Sequence, residues 1–353
     1  MKLRSFHFLI PLLAAATGFC QRTPVPNDPL ELATGAVKVA DTAPDRARAL
    51  GLLERARQNT NLHAPAGAPF DLRVSFNSAG DSQYTGAGEL EEIWLSPDTW
   101  RWSARLGSYA QTRVFYQGEA YDTNPHAYLP LRLQMLRGAI FWPVAGHFAG
   151  SLLRVAPSSW NGVPVTCVLI SGPGNDPAPT PGRRWEEEEF CVEPKSGLLE
   201  TYSVAPGIYS IYDYTNALQF HGSKLPRRIG IVENGATVLD AQLDSFQSPG
   251  STDPSLFTPG SDMQGPGVII RGPIRLTRVI PAPAGASAPN GQPVIVVAAL
   301  DVAGKVLEAE PLAASDGTLA AAALEGVRSG SYGPAKGPIQ REVFVRVQFA
   351  PAQ

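Results

Sequence analysis

From Phe70 to about Gln247, apolar and polar residues alternate with a period of two, one segment after another. FDLRVSF sets Leu72, Val74 and Phe76 against Asp71, Arg73 and Ser75. WRWSARL sets Trp100, Trp102, Ala104 and Leu106 against Arg101, Ser103 and Arg105. Successive side chains of a strand point to opposite faces, so the pattern commits this region to antiparallel strands with one wet face. RVFYQGEAYD, VPVTCVLIS, LLETYSV, YSIYDYT and PRRIGIVENGATVLDAQLDSF continue the series, and Asn234-Gly235 between apolar runs is a hairpin signal. The turns such a chain needs are supplied by 34 Gly and 33 Pro among 353 residues. That length is enough for two domains with their own cores.

Two helical segments interrupt the strands. In TAPDRARALGLLERARQNTN, Thr42 can cap the helix, with Pro44 and Asp45 in its first turn; Leu50, Leu53 and Ala56–Arg57 fall on one face. A second helix is expected in Leu129–Val144, with Leu133, Leu136, Ile140 and Phe141 as its apolar face. A strongly curved sheet wrapped round apolar helices accommodates both. In GELEEIWLSPDTWRW a strand, a turn and a strand follow one another, and in FCVEPKSGLLETY an acidic-Pro-Lys-Ser-Gly turn joins two strands. With the order of elements, these segments resemble the LolA/LolB-like lipoprotein-carrier fold of periplasmic proteins, over about Asp45 to Phe246. The resemblance implies an α+β protein: a curved antiparallel half-barrel with helices in its concave face. Leu72, Val74, Trp100, Trp102, Leu133, Leu136 and Phe141 are then either ordinary core or the wall of a cavity for an acyl chain, with the inserted helix as lid.

The N-terminus has targeting chemistry. Lys2 and Arg4 precede an apolar run from Phe6 to Ala16, too short to span a bilayer and the size of a signal-peptide core. Cleavage after Cys20 or slightly earlier makes residues 1–20 a signal peptide and residues 21–41 a Pro-rich lead. Phe19 argues against a lipoprotein anchor at Cys20. Removal of the leader takes the net charge from −3 to −5, because both of its charged residues are basic. The expected location is the periplasm or another exported compartment, with peripheral or no membrane contact. Cys167 and Cys191 remain, an even pair in an exported chain, and a disulfide is the favoured reading. Closing that loop contributes ~3 kcal/mol in the chain-entropy picture. A redox or metal-binding pair is the alternative, but neither CxxC spacing nor a nearby His supports it.

After the half-barrel region (42–248), QSPGSTDPSLFTPGSDMQGPG loses all apolar periodicity, which places a linker over 249–266 and a C-terminal module over 267–353. The module runs Asp301-Val-Ala-Gly304-Lys-Val306, then Leu319-Ala-Ala-Ala-Ala-Leu324-Glu-Gly-Val327-Arg328, Tyr332-Gly-Pro334, and Val343-Phe-Val-Arg-Val347-Gln-Phe349. Ser315 or Asp316 can cap its helix. This order of hairpin, Ala-rich helix, Pro turn and closing strand resembles the TonB C-terminal domain. It implies a small antiparallel sheet covered by one helix. The early helix of that family is missing, Pro273–Pro289 reading as a Pro/Ala loop. No uncleaved anchor precedes the module, so energy transduction is not carried over. What the resemblance leaves is strand addition of an envelope protein partner at an exposed edge, Val343, Val345, Val347 and Phe349.

Catalytic and metal-binding patterns are missing from the sequence. His63, His126, His147 and His221 are scattered, without metal-ligand spacing. The run Glu186–Glu189 reads as solvated. Glu91 and Glu92 are adjacent in a strand and face apart. No basic stripe with interleaved aromatics suggests nucleic acid. No catalytic residue, metal or cofactor is therefore expected. Two functions fit: an exported non-catalytic protein holding a lipid or lipoprotein acyl chain, or a structural adaptor of the cell envelope without a small ligand.

Overall fold

The computed structural model describes residues 37–63, 67–80, 82–125, 127–146, 148–172, 182–283, 293–313 and 317–350. The leader, His126, His147 and the proposed helix caps Ser315 and Asp316 lie outside them. The chain opens with β1 (Lys38–Val39) and α1 (Ala43–Thr60). A meander follows: β2 (Phe70–Ser78), β3 (Gly86–Ser96), β4 (Thr99–Leu106), β5 (Tyr109–Tyr116) and β6 (Glu119–Asp122). After α2 (Leu131–Phe141) comes a second run: β7 (Leu152–Trp160), β8 (Val163–Ser171), β9 (Glu188–Val192), β10 (Leu199–Ala205) and β11 (Ile208–Asp213). A small hairpin, β12 (Leu218–Phe220) and β13 (Ser223–Leu225), precedes β14 (Arg228–Glu233) and β15 (Ala236–Gln247).

These strands, the small hairpin apart, form one open antiparallel sheet of 13, in the order β1-β7-β8-β9-β10-β11-β14-β15-β2-β3-β4-β5-β6. Pairing of β15 with β2 joins the two meanders, and the buried residues of both helical segments share one core with the sheet. Leu72, Val74 and Phe76 are buried while Arg73 and Ser75 are exposed, as expected, but Asp71, read as wet-face, is buried. Gly88 faces Phe76 across β2 and β3, where a Cβ would stand 2.2 Å from the ring, so the glycine makes room for the aromatic. Asn234 and Gly235 both take positive φ, 46° and 78°, the hairpin geometry that an Asn-Gly pair favours.

The Thr42 side chain caps α1, accepting from the Asp45 N–H at 3.2 Å. Leu53 and Ala56 of the expected stripe are buried, joined by Ala49, Leu52 and Thr60, while Leu50 and Arg57 are half-buried. In α2 the expected face is buried, Leu133, Leu136 and Phe141 completely, but so are Arg132, Gln134 and Arg137. A helix buried all round has to be covered from both sides, and the C-terminal part of the chain provides the second cover.

That part consists of β16 (Ile269–Pro281), β17 (Val294–Leu300), β18 (Val306–Ala313), α3 (Gly317–Arg328) and β19 (Ile339–Ala350), with sheet order β16-β19-β17-β18. Two expectations need correction. The sheet is mixed, because β16 runs parallel to β19. The first part of the supposed Pro/Ala loop is that strand; prolines are tolerated there because β16 is an edge. Second, β19 is internal, paired with β16 on one side and β17 on the other. Val343, Val345 and Val347 are buried and Phe349 is half-buried, so this strand offers no edge to a partner.

One face of the small sheet packs under α3 through Val294, Val296, Val345 and Val347. The other face, with Ile295, Val297, Ala299 and Phe344, joins the core of the large sheet. The interface also supplies what α2 lacks. Pro130 at its N-cap has no side-chain oxygen, and the buried Leu131 N–H, without an intrahelical partner, donates instead to Glu308 Oε2 of β18 at 3.0 Å. Gln340 completes the junction with two bonds to the Leu129 backbone, at 3.0 and 3.1 Å. Residues 264–267 lie along β6, where Gln264 exchanges two 2.9 Å backbone bonds with Asp122; Phe257, in the helical turn Pro254–Phe257 beside β4 and β5, is buried.

Candidate functional site

A cavity of about 920 Å³ lies between the large sheet, α2 and the start of β16. Trp100, Trp102 and Phe115 of β4 and β5 form one wall. Met135, Gly138 and Trp142, on and just after α2, form another, and Ile170, Val204 and Ile208 close the far side. Ile269, Ile270 and Pro273 of the C-terminal module make the roof. The lining is mainly hydrophobic and aromatic, with charged groups at two places, the usual make-up of a small-molecule site.

Of the residues expected to line a cavity, Trp100 and Trp102 do so. Leu72, Val74, Leu133, Leu136 and Phe141 are fully buried core instead. The helix explains the split: its leucine face is sealed against the sheet, and the cavity opens beside Gln134, Met135 and Gly138. A Cβ on Gly138 would have no atom within 4 Å, so the glycine leaves one side of the cavity open.

The first charged place sits beneath Trp142. Arg137 Nη1 is 2.7 Å from Glu92 Oε2, and His63 Nε2 is 2.5 Å from Glu92 Oε1. The Arg137 guanidinium lies 4.8 Å from the Trp102 ring centre and 4.9 Å from that of Phe141, within cation–π range. His63 stacks on Phe141 at 4.8 Å. Burial pushes the Glu92 carboxyl up, but the Arg137 charge and the His63 hydrogen bond outweigh it and hold the pKa below the usual carboxylate value. Glu92 is thus ionised inside the protein. Its neighbour Glu91 faces the other way, 2.9 Å from Arg73, as adjacent strand residues must.

The second place is at the opposite end, where β9, β10, β16 and β19 meet. Glu188, Tyr202, Arg275 and Glu342 line it. Arg275 donates to the Val204 carbonyl at 2.6 Å and stands 3.6 Å from Glu188. Burial raises the Glu188 pKa despite Arg275. Burial, followed by the charge of Glu188, pushes Glu342 up to about 7. The Tyr202 phenol is pushed well above its usual value, first by burial and then by the two carboxylates.

The Glu186–Glu189 run is therefore not solvated. Glu187 and Glu189 are buried: Glu187 is paired with Arg154 through two bonds of 2.7 and 3.0 Å, and Glu189 with Arg183 at 3.4 Å. Those arginines lie far away in sequence or before the strand, and no local pattern couples them to the run. His63 reads as a lone residue for the same reason, while His221 is a turn residue with φ 48°. Cys167 and Cys191 face each other across β8 and β9 and are bonded, which uses the thiols of the single metal-type cluster among the described residues. Among those residues no helix is long and apolar enough to cross a membrane.

No family model matches the chain, and no curated protein matches it. Among solved structures, the chain is similar to a LolA superfamily protein from Nitrosomonas europaea, at 14% identity and a TM-score of 0.38 over 60% of this chain and 97% of that one. It is also similar to a putative outer membrane lipoprotein-sorting protein domain from Vibrio parahaemolyticus, at 9% identity and a TM-score of 0.36 over 59% of this chain and 97% of that one.

Proposed function

We propose that this chain is an exported, non-catalytic carrier that holds a long apolar ligand, a lipid or lipoprotein acyl chain, in the cavity beside α2. The observation that carries the reading is the cavity itself: about 920 Å³, walled by Trp100, Trp102, Phe115, Met135 and Ile170. Natural small-molecule sites span roughly 300–1,000 Å³ and are mostly apolar. Each methylene taken from water into such a wall contributes about 0.8 kcal/mol, so a long alkyl chain gains affinity from length alone. The basic start and apolar run of the N-terminus, together with the buried disulfide, support an exported location. The C-terminal module enters this reading as the roof of the cavity, through Ile269, Ile270 and Pro273.

The test is mass spectrometry of protein purified without detergent, together with titration of a fluorescent fatty acid. A co-purifying lipid, or saturable uptake of the probe that fails in a cavity-filling variant, supports the carrier. Protein free of lipid that also takes up no probe would overturn it and favour a structural adaptor.

A further inference from the structure

We propose that the end of the cavity at Glu188 and Glu342 is a binding site for a primary ammonium group, so that the ligand is an amine-bearing amphiphile. This rests on the carrier reading and adds the chemistry of the headgroup.

Cations and carboxylates do not balance at this end of the cavity. Glu186 has Arg184 at 4.0 Å. Glu188 has Arg275 at 3.6 Å, and the same guanidinium is held by the Val204 carbonyl. Glu342 has neither a hydrogen bond nor an ion pair among the described residues, and it lines the cavity. It is also covered. A Cβ on Gly272 of the roof strand would come within 2.7 Å of Glu342 Cβ and 3.2 Å of its Oε2, so the backbone lies directly on this side chain. A carboxyl in such a place is costly to ionise without a cation. Burial and Glu188 together hold it at about 7, so it ionises readily near neutral pH and has no partner on the protein.

The missing partner has defined chemistry. A primary ammonium carries three N–H donors. Glu342 and Glu188 line this end together with Tyr202, whose hydroxyl donates to Glu188 and whose oxygen keeps a free lone pair to accept. A carboxylate or phosphate headgroup would meet like charge here. A neutral alcohol would leave Glu342 without a counter-charge. The alkyl tail then runs from this end along Ile170 and Val204 toward Met135 and the Trp100–Phe115 wall.

The test is competition against a neutral fluorescent probe, N-phenyl-1-naphthylamine, by dodecylamine, dodecanol and dodecanoate, all below their micellar concentrations. At about pH 8 the amine is charged and a carboxyl held near 7 is mostly ionised. Dodecylamine is expected to compete at least about tenfold better than dodecanol, the scale of one charge-assisted hydrogen bond, and dodecanoate worse than either. Glu342→Gln should bring the amine to within about twofold of the alcohol. Dodecanol is read in the same variant, and the result is the ratio of amine to alcohol affinity, which a general loss of binding does not move. Dodecanol or dodecanoate competing as well as the amine in the unaltered protein would overturn the ammonium site and leave the carrier standing. An amine preference that survives in both Glu342→Gln and Glu188→Gln would do the same. A probe that does not bind at all removes the carrier, and the ammonium site with it.

Discussion

Replacing Arg132 by Met tests whether the C-terminal module is a built part of the molecule. Arg132 is 1% exposed and sits on α2 between the two sheets. One guanidinium nitrogen donates to Glu233 of β14 and another to Glu310 of β18. Glu308, next but one on the same strand, accepts from the Ser82 hydroxyl and the Leu131 N–H. Removing one partner of a buried ion pair costs about 3–5 kcal/mol, since the other charge is left in a medium that cannot solvate it. Two carboxylates contact Arg132, but the cost is not doubled. Burial, followed by the charge of Glu233, pushes the Glu310 pKa up, so the two coupled carboxylates share about one negative charge at neutral pH. The expected loss is therefore one pair's worth, about 3–5 kcal/mol, against a whole-domain stability of roughly 5–15 kcal/mol. Urea unfolding read by tryptophan fluorescence and by far-ultraviolet circular dichroism measures it; the midpoint should fall by more than about 1 M. The companion variant Glu310→Gln mimics the protonated acid and should cost under about 1 kcal/mol at pH 7. A loss below about 1 kcal/mol for Arg132→Met would refute the reasoning, because a hydrated, exposed pair behaves that way. So would a Glu310→Gln cost equal to that of Arg132→Met.

Further outcomes follow from other parts of the structure. Gly138→Leu projects a side chain where a Cβ meets no atom within 4 Å; probe uptake should fall at least about tenfold while stability holds or rises, since glycine inside a helix costs about 1 kcal/mol. The double variant Cys167→Ala with Cys191→Ala opens a loop with a sequence separation of 24 and should lose about 3 kcal/mol in equilibrium unfolding. Glu342, with its pKa raised to about 7 in the folded state, contributes stability that is complete below its unfolded value and lost as pH rises through about 7. Stability against pH should consequently fall by about 3 kcal/mol more in the unaltered protein than in Glu342→Gln between about pH 4 and 8.

What could be read from the sequence and what could not divide along one physical line. Period-two alternation says which side chains share a face, and for β2 from Leu72 to Asn77 and β4 from Trp102 to Leu106 burial follows it. It does not say whether the polar face is wet. Glu187 and Glu189 alternate correctly with Glu186 and Glu188, yet both are buried, because Arg154 and Arg183 are folded against them. Nothing within the run marks this, since the neutralising charge comes from another strand or from the loop before it. The same blindness applies to α2. Its leucines predict an amphipathic helix, but Arg132 and Arg137 look like the solvent face until a second sheet covers them. The covering sheet is legible as a helix between strands, and its closing strand reads as a free edge. One observation in the sequence weighs against that edge. Val294-Ile-Val-Val-Ala-Ala-Leu300 is apolar on both faces; strands apolar on both faces belong in the middle of a sheet covered on both sides, and such a strand needs a partner on each side. A module whose central strands need two covers cannot expose one face on a tether. Its second face has to rest on something, and the concave side of the half-barrel, with α2 lacking an N-terminal cap of its own, is the surface that completes both.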